Sequence, residues 1–301
     1  MKTYSVWMMA AAGALALPIL AQEPGRERPR APSLRVDAAF TASADLEARG
    51  APAGGMAVAR TGVSAELPLP ALDSGTWPTL GFRYQEHRLD REAGAPLPDR
   101  LKSLSLNLAV AHRLGEEWTL IGAVSPGFSE AGSGFSSAGL HVGVFALANR
   151  RISPALTAGI GFAYDSLSRG GSGRVIPVAG LDWAPADGWR VTLGYPRAGL
   201  AYEFTPDLTF EFKVEADFAS YRVNDDPGGG PAGRPALDRT VVEYEGLLVG
   251  PAVAWRAAPG FTARISAGLA PRVSAEYRRR GYELKATDTV GYVSAEAGYR
   301  F

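Results

Sequence analysis

Charged side chains recur at every second position in several stretches of this sequence, where they could line a polar surface. The clearest stretch carries Glu211, Lys213, Glu215 and Asp217, with an apolar residue between each neighbouring pair. Alternate residues lie on one face of an extended strand, so the four side chains would project to the same side. A row that carries both signs of charge suits the binding or selection of small charged solutes.

The same alternation defines a wider set of residues that would face an enclosed, water-filled lumen. The set comprises Arg83, Lys102, Glu203, Glu211, Lys213, Glu215, Asp217, Glu243, Glu245, Arg264, Arg272, Glu276, Glu296 and Arg300. Similar positions are held by Arg35, Asp37, Arg60, Glu66, Asn107 and Arg190. In hydrocarbon each of these charges would cost on the order of 2–4 kcal/mol at mid-depth, which favours an inward position. They either pair across the lumen and plug it, or set the selectivity of a pore.

One wall of this lumen is expected to be negative. Glu243 and Glu245 lie on the stretch that follows the acidic residues Glu211, Glu215 and Asp217. If the two stretches pair as neighbouring strands, all five carboxylates would share one wall. Such a wall would favour cations.

Signals for catalysis and for cofactors are weak. The chain has three histidines and no cysteine, which disfavours a transition-metal site and excludes disulfides and thiolate chemistry. No G-x-S-x-G turn and no phosphate-binding glycine loop is present. The best remaining candidate is His87, which has Glu86 and Asp90 close in sequence and could form a hydrolase site at an outer rim. We expect no enzyme activity, no metal and no cofactor.

The N-terminus has the pattern of a secretory signal peptide. Lys2 is the only charge before Glu23, and residues 6–21 are apolar throughout and end on a small residue. The apolar run is short for a membrane span, and no basic cluster follows it directly. We predict a cleaved signal over residues 1–21, a flexible periplasmic segment over 22–33, and one domain over 34–301.

From Leu34 onward the chain shows strand periodicity and no convincing helical period. The predicted strands are 34–43, 56–67, 78–88, 101–113, 118–128, 138–149, 155–165, 174–184, 189–195, 198–204, 208–222, 239–255, 261–277 and 288–301. Their lengths suit the nine to eleven residues that a tilted strand needs to cross a bilayer. The expected count is fourteen. Twelve is the alternative, because the two strands that flank Tyr195 and Pro196 are short.

Connections alternate between short and long along the chain. Tight turns follow Leu114, Arg150, Pro185, Thr205 and Ala257, whereas long polar segments occupy residues 44–55, 90–99, 129–138, 166–173 and 224–238. Outer-membrane barrels show this asymmetry, with tight periplasmic turns and longer external loops. We therefore predict an all-β, antiparallel, transmembrane up-and-down β-barrel in the cell outer membrane, and disfavour a soluble sandwich.

Aromatic residues cluster beside the predicted turns, where a membrane interface would lie. Near the short turns these are Trp118, Trp183, Trp189, Phe204, Trp255, Phe261, Tyr299 and Phe301. Near the long connections they are Tyr84, Phe128, Tyr164, Phe218, Tyr221 and Tyr277, which could form an outer belt.

Two parts of the sequence resemble known proteins. The stretch from Val175 to Phe212 contains Pro177, a W-x-P-x-D-G-W turn, a Tyr-Pro pair and an L-x-Y-E-F-T-P-D-L hairpin. It resembles a family of uncharacterised outer-membrane β-barrels that is catalogued as a domain of unknown function. That resemblance implies location and architecture, and no substrate. The tail that ends in Tyr299 and Phe301 is similar to the C-terminal aromatic signature of Gram-negative outer-membrane proteins, which implies recognition of Phe301 by the barrel assembly machinery.

The sequence thus favours a passive pore for small solutes with a charged lumen. A structural or surface-interaction barrel with a plugged lumen is the alternative, and an outer-membrane hydrolase is the third possibility. The expected partners are the lipid bilayer with its lipopolysaccharide, the barrel assembly machinery and small solutes. Nucleic acid is not expected, because the chain has 31 basic and 31 acidic residues.

Overall fold

The computed structural model describes residues 31–92, 94–194, 196–228 and 234–301. The predicted signal peptide lies outside these residues, as does nearly all of the predicted periplasmic segment. The strands are β1 Ser33–Thr41, β2 Ala44–Ala48, β3 Ala51–Pro68, β4 Thr76–Arg91, β5 Arg100–Leu114, β6 Trp118–Ala131, β7 Leu140–Ser153, β8 Leu156–Asp165, β9 Arg174–Trp183, β10 Trp189–Gly194, β11 Arg197–Thr205, β12 Leu208–Val223, β13 Thr240–Ala258, β14 Phe261–Tyr277, β15 Tyr282–Ala286 and β16 Val290–Arg300. One short helix, α1, spans Ser168–Gly171.

The strands form a closed antiparallel barrel of fourteen, which confirms the predicted fold and the higher of the two strand counts. Two of the fourteen are interrupted: β1 and β2 both pair with β3, and β15 and β16 both pair with β14. Closure comes from β1 against β16 and from β2 against β15. The short pair β10 and β11 is part of the wall, so the twelve-stranded alternative is wrong.

The two ends of the barrel differ in their connections. At one end, here the short-turn end, tight turns such as residues 115–117 and 259–260 join the strands. At the other, the long-loop end, residues 92–99, 132–139, 166–173 and 224–239 connect them. Two segments depart from the prediction. Residues 44–55 are mostly strand, with a tight turn at Arg49 and Gly50, and residues 282–286 form β15.

The wall is uneven in height. Strands β12, β13 and β14 have 16, 19 and 17 residues, whereas β10 has 6 and β11 has 9. Since a strand rises about 3.3 Å per residue, the wall is much lower at β10 and β11 than at β12 to β14.

The tall ends of β12 and β13 cross the lumen. We call this part, residues 217–228 and 234–247, the crossing hairpin. Arg222 of β12 forms a parallel bridge with Glu130 of β6, although the two strands are the eleventh and the fifth of fourteen around the wall. Glu130 also accepts hydrogen bonds from the Asn224 side chain and from Ser136. Both faces of the hairpin are consequently buried: Tyr221 on one face, and Phe218 on the other.

Where β3, β4 and β12 line it, the interior is polar in the short-turn half and apolar in the long-loop half. Along β3 the inward residues run from Glu66 and Ser64 through Arg60 to Val58 and Met56. The same change occurs along β4 and β12, whereas β5 has the buried Ala109 and Ala111 at its short-turn end. The apolar half forms one buried cluster that includes Leu46, Met56, Leu89, Leu97, Leu101, Tyr221, Leu237, Tyr244, Tyr277 and Leu284. A smaller apolar cluster of Ala111, Ile121, Leu147, Ala163 and Val178 covers the inner side of β5 to β9.

The outer face carries the exposed apolar side chains. Leu106 and Leu108 on β5, Phe210 and Phe212 on β12, and Ile265 on β14 are all exposed. They alternate with the inward residues of the same strands, which is the arrangement expected of a wall in contact with lipid. Within the described part of the chain, none of the helices has the length and hydropathy to cross a bilayer.

Candidate functional site

A polar chamber occupies the short-turn half of the lumen. Its cavity has a volume of about 100 Å³ and lies between β1, β3, β4 and β5 on one side and β11, β12, β14 and β16 on the other. Its charged lining consists of Arg35, Asp37, Arg60, Glu66, Arg83, Arg197, Lys213, Glu215, Arg264 and Glu296, six basic and four acidic side chains. Small inward residues such as Ser64, Gly81 and Ser105 leave room for the chamber on the β3–β5 side.

Arg60 lies at the centre of an ion-pair network that spans the lumen. Its Nη1 lies 3.0 Å from Asp217 Oδ2, and its Nη2 lies 3.6 Å from Glu215 Oε1, both on β12. Its Nε lies 3.5 Å from Asp37 Oδ2 on the neighbouring β1. Because Arg60 belongs to the second barrel strand and β12 is the eleventh, these pairs tie two distant walls together.

His87 seals the chamber on its long-loop side. The His87 ring is fully buried, with Nε2 2.9 Å from Asp217 Oδ2 and Nδ1 3.0 Å from the Tyr221 hydroxyl. Tyr244 packs against the same ring, with centroids 4.8 Å apart. This layer of Arg60, Asp217 and His87 separates the chamber from the apolar cluster above it.

The hypothesis of a rim hydrolase built on His87 is not supported by this geometry. His87 points into the lumen, whereas Glu86 lies on the opposite face of β4 and accepts hydrogen bonds from Tyr84 and Arg88. A buried imidazole held by a carboxylate and a phenol has no contact with solvent through which it could meet a substrate. Among the described residues, no group of three His, Asp or Glu side chains is suited to hold a metal ion.

A second ion-pair group lies nearer to the short-turn end of the chamber. Arg264 Nη2 is 3.0 Å from Glu211 Oε1, and its Nη1 is 3.5 Å from Glu296 Oε1. Arg35 Nε approaches the same Glu296 carboxylate at 3.4 Å. The group joins β1, β12, β14 and β16. Arg83, Arg197 and Lys213 line the part of the chamber that is nearer to His87.

The structure brings together about half of the residues predicted to face the lumen. Arg83, Lys213, Glu215, Arg264 and Glu296 line the chamber. Glu211 and Asp217 join them through their ion pairs. Glu203 and Arg300 lie at the short-turn rim, on the inward side of their strands, and both are exposed.

Lys102 lies on the outer face of the barrel, contrary to the prediction. Its neighbour Leu101 is fully buried inside, so Lys102 takes the other side of β5 together with Leu104 and Leu106. Its Nζ donates to the Ser133 backbone carbonyl at 2.8 Å, at the long-loop end. The prediction failed because Lys102 has the parity of the lipid-facing leucines.

Four further residues do not share the face of Glu215 and Asp217. Directly opposite residues on paired strands lie on the same side of a sheet. Glu245 is opposite Phe218, and Glu243 is opposite Ser220, so both glutamates lie on the face away from Asp217. Arg272 pairs with Glu245 at 2.6 Å, and Glu276 shares Arg278 with Glu243. The predicted negative wall is therefore wrong.

A β-bulge explains why Arg272 and Glu276 changed sides. Leu269 is opposite Val249, but Arg272 is opposite Leu247, so β14 has one extra residue at Ala270 and Pro271. Beyond the bulge Val273, Ala275 and Tyr277 turn inward and join the apolar cluster. The sequence alternates without a break through this point, which hid the change.

Sequence reasoning missed several residues of the site. Arg197 was assigned to a turn, although it begins β11 and lies 3.5 Å from Glu215. Gln85 was not considered, although it accepts a hydrogen bond from Arg83 at 2.9 Å. The inward parity of β4, which Arg83 establishes, could have identified it. Tyr221, Tyr277 and Phe218 were expected in an outer belt and are buried instead.

The aromatic residues predicted beside the short turns lie at the short-turn end. Trp118, Trp183, Trp189, Phe204, Trp255, Tyr299 and Phe301 are exposed, and Phe261 is half-buried. Tyr299 and Phe301 contact each other edge to face, with centroids 5.0 Å apart.

The loop of the crossing hairpin is held by its own ion pair. Asp226 accepts hydrogen bonds from Arg234 Nη2 at 2.6 Å and from the Leu237 backbone N–H at 2.9 Å. The Arg234 hydrogen bond, helped by backbone donors, holds the pKa of the Asp226 carboxyl well below its usual value. Leu237 is buried in the apolar cluster, so this ion pair fixes Asp226 and residues 234–237 at the long-loop end of the lumen.

Two solved structures are similar to the chain in fold. A mutant of TodX, described as a monoaromatic hydrocarbon channel, matches with a TM-score of 0.51 at 12% identity, covering 91% of both chains. An outer-membrane channel from Pseudomonas putida F1 matches with a TM-score of 0.52 at 9% identity, covering 93% of this chain and 100% of that one. No curated protein matches by sequence. At these identities the likeness concerns the barrel fold that the chain shares with outer-membrane channels.

A protein-family profile gives a closer assignment. The profile is described as a domain of unknown function, DUF6268, and it matches residues 76–289. The matched segment contains the whole stretch on which the sequence resemblance rested. Since it spans well over half of the chain, the protein belongs to the DUF6268 family.

Proposed function

We propose that the protein is an outer-membrane channel for small polar solutes, closed at the long-loop end in the conformation described here. The chamber carries the proposal. A barrel that served only as a scaffold would have no need for a water-accessible cavity of about 100 Å³ lined by ten charged side chains. Barrels of about eight strands have filled interiors and those of 16–18 hold water, so fourteen strands leave room for a narrow path.

The crossing hairpin is the proposed gate. It closes the long-loop end through Tyr221 and Tyr244, which contact His87 at the top of the chamber. Because β11 pairs with β12 only as far as Glu215, the β12 arm of the hairpin has a free edge on that side, whereas its β13 arm pairs with β14 up to Glu243. The proposed movement is toward the free edge. The only ladder contact from the hairpin to the far wall in the described chain is the bridge between Arg222 and Glu130.

The proposed orientation places the short-turn end in the periplasm and the long loops outside the cell. Lipid and lipopolysaccharide would surround the apolar outer face, with the exposed aromatic residues of the short-turn end at the inner interface. Phe301 and Tyr299 are the proposed contacts for the barrel assembly machinery. We propose transport and not catalysis, since the one histidine with a catalytic pattern is buried.

A plugged structural barrel is the second candidate, because the long-loop half of the lumen is filled by the apolar cluster. Swelling of proteoliposomes in an arabinose solution separates the two. The test variant replaces residues 219–244 by Asn-Gly, which joins the paired residues Phe218 and Glu245 through a tight turn. A channel predicts swelling at least several-fold faster than with the intact protein.

A milder pair of substitutions, Tyr221→Ala with Tyr244→Ala, covers the case in which the shortened protein does not assemble. Trp189→Ala, on the outer face, is the control and should swell at the rate of the intact protein. Heat-modifiable gel migration reports assembly for each variant. If assembled variants of both kinds swell no faster than protein-free liposomes, the structural barrel is the correct description.

A further inference from the structure

We infer that the chamber binds small carboxylate solutes, with Arg83 as the anchoring cation. This inference rests on the proposed function and names the class of solute. It reverses the preference expected from the sequence, where a negative wall would have favoured cations.

Arg83 is the cation of the chamber that has no carboxylate of its own. Within the described residues no carboxylate oxygen lies within 4.0 Å of its guanidinium, and its one hydrogen bond is donated to Gln85 Oε1 at 2.9 Å. A guanidinium has five N–H donors. Arg83 thus retains donor capacity toward the chamber that it lines.

The carboxylates of β12 are already shared among other cations. Glu215 alone is approached by Lys213 at 3.2 Å, by Arg197 at 3.5 Å and by Arg60 at 3.6 Å. Asp217 is held by Arg60 and by His87. Asp37 is held by Arg60, and Glu296 is held by Arg35 and Arg264. Glu66 lies opposite Gly81 and forms no ion pair with Arg83 among the described residues. Within the described chain Arg83 therefore lacks a carboxylate partner, and a bound anion would supply one.

The space beside Arg83 suits a small planar anion. Its neighbours across the two adjacent strands are Ser64 and Ser105, and Gly81 lies two residues below it on the same face. None of these carries a large side chain, and the two serine hydroxyls can donate hydrogen bonds. A guanidinium fork matches a carboxylate with two parallel N–H donors, which favours carboxylates over spherical anions such as chloride.

The test follows arginine side-chain Nε–H signals by NMR in a neutral detergent while sodium acetate is added. The Arg83 signal is the one absent from Arg83→Gln. We expect this signal to shift saturably with acetate, and not to shift with acetamide, the neutral analogue. Equal shifts with sodium chloride, acetate shifts of other signals that persist unchanged in Arg83→Gln, or no acetate shift at all would each overturn the inference.

A second variant supplies Arg83 with a carboxylate partner without removing the cation. Asn107 is a diagonal neighbour of Arg83 on β5, and its Oδ1 accepts from Ser125, which a carboxylate could also do. Asn107→Asp should supply an internal partner and weaken acetate binding tenfold or more. Arg150→Gln, at an exposed ion pair of the short-turn end, should leave the affinity unchanged. Unchanged affinity in Asn107→Asp would contradict the inference.

The acetate titration and the swelling assay test the binding site and the channel independently. The titration is done in micelles and needs no conduction, so acetate binding without swelling of any variant would refute the channel and leave the site. Swelling without acetate binding would refute the site and leave the channel.

Discussion

At the scale of single residues, Arg60 is the side chain that links the wall at β1 and β3 to the opposite wall at β12. It contacts carboxylates of β1 and β12 and is only 12% exposed. Removing one partner of a buried ion pair leaves uncompensated charge and costs about 3–5 kcal/mol. We therefore expect Arg60→Met to lower the free energy of unfolding in urea by that amount.

The control for Arg60→Met is Arg150→Met. Arg150 pairs with Glu117 at 3.1 Å, but both side chains are more than half exposed. Exposed pairs contribute about 0–1 kcal/mol, so this loss should be small. Equal losses in the two variants would show that the Arg60 network does not hold the walls together.

Asp226 gives a pH dependence to the loop of the crossing hairpin. Its pKa is lowered in the folded loop by the Arg234 hydrogen bond, from an ordinary value of 3.8. A group with a lowered folded pKa stabilises the fold above its unfolded pKa, and this contribution is lost as pH falls toward the folded pKa. We expect the Leu237 amide, which donates to Asp226, to lose protection from hydrogen exchange below pH 3.8.

The variant Asp226→Ala should remove the Leu237 protection at every pH. Asp238→Ala is the matched control, because Asp238 is in the same loop and lies 3.9 Å from Arg280 at the surface. Protection that is independent of pH in the intact protein would contradict this account of the loop.

The sequence predicted the types of charged residue in the site better than their positions in the barrel. Alternation on β12 correctly grouped Glu211, Lys213, Glu215 and Asp217, because a strand without bulges keeps its parity. Lys102 was wrongly assigned to the lumen, although the sequence already gives it the same parity as the outward leucines of β5. The partnership of Arg60 with Asp217 joins residues 157 apart in the chain, and no local pattern encodes it.

At the scale of elements, the bulge in β14 decides which side chains build the closed end. It turns Val273, Ala275 and Tyr277 inward, where Tyr277 donates to the Pro96 carbonyl at 2.9 Å. Val273→Glu should place a carboxylate inside the apolar cluster, where it has no partner. We expect a large loss of thermal stability, measured by heat-modifiable migration on gels.

Glu276→Val is the control for Val273→Glu. Glu276 lies on the opposite face of β14, where it pairs with Arg278 and is 29% exposed. A smaller loss is expected there, since a partly exposed ion pair contributes less than the burial of an unpaired carboxylate costs. If Val273→Glu is tolerated as well as Glu276→Val, the bulge does not turn Val273 into the apolar cluster.

Strand positions could be predicted because outward apolar residues alternate with inward polar ones over most of the wall. The crossing hairpin could not, because a strand that leaves the wall keeps its backbone pattern and changes only its surroundings. One signal was present: residues 241–249, VVEYEGLLV, carry apolar side chains at both parities. That pattern is typical of a strand with both faces buried.

At the scale of the whole molecule, the barrel separates an apolar exterior from a polar chamber within one wall thickness. Val293 and Ser294 are adjacent on β16, with Val293 exposed outside and Ser294 lining the chamber. An arginine on the lipid face near mid-depth costs about 2–4 kcal/mol. We expect Val293→Arg to lower the stability in bilayers by about this amount, and Ser294→Arg, beside Glu296, by much less.

Stability in lipid vesicles, measured by urea titration of tryptophan fluorescence, distinguishes the two arginine variants. The reverse order, with Ser294→Arg the more damaging, would mean that water lies outside the barrel and the chamber is dry. The overall barrel was predictable, since lipid imposes the same alternation on every strand. Whether the lumen is open was not, because that depends on contacts across it.

The central claim is that the crossing hairpin opens and closes a solute path, and a locked hairpin tests it most directly. The chain has no cysteine, so Glu130→Cys with Arg222→Cys introduces the one possible disulfide, at the bridge between β6 and β12. Current through single proteins is recorded in a planar bilayer, with each single cysteine variant as a control. The account predicts silence after oxidation and discrete openings after reduction. Current that is the same before and after reduction would contradict it.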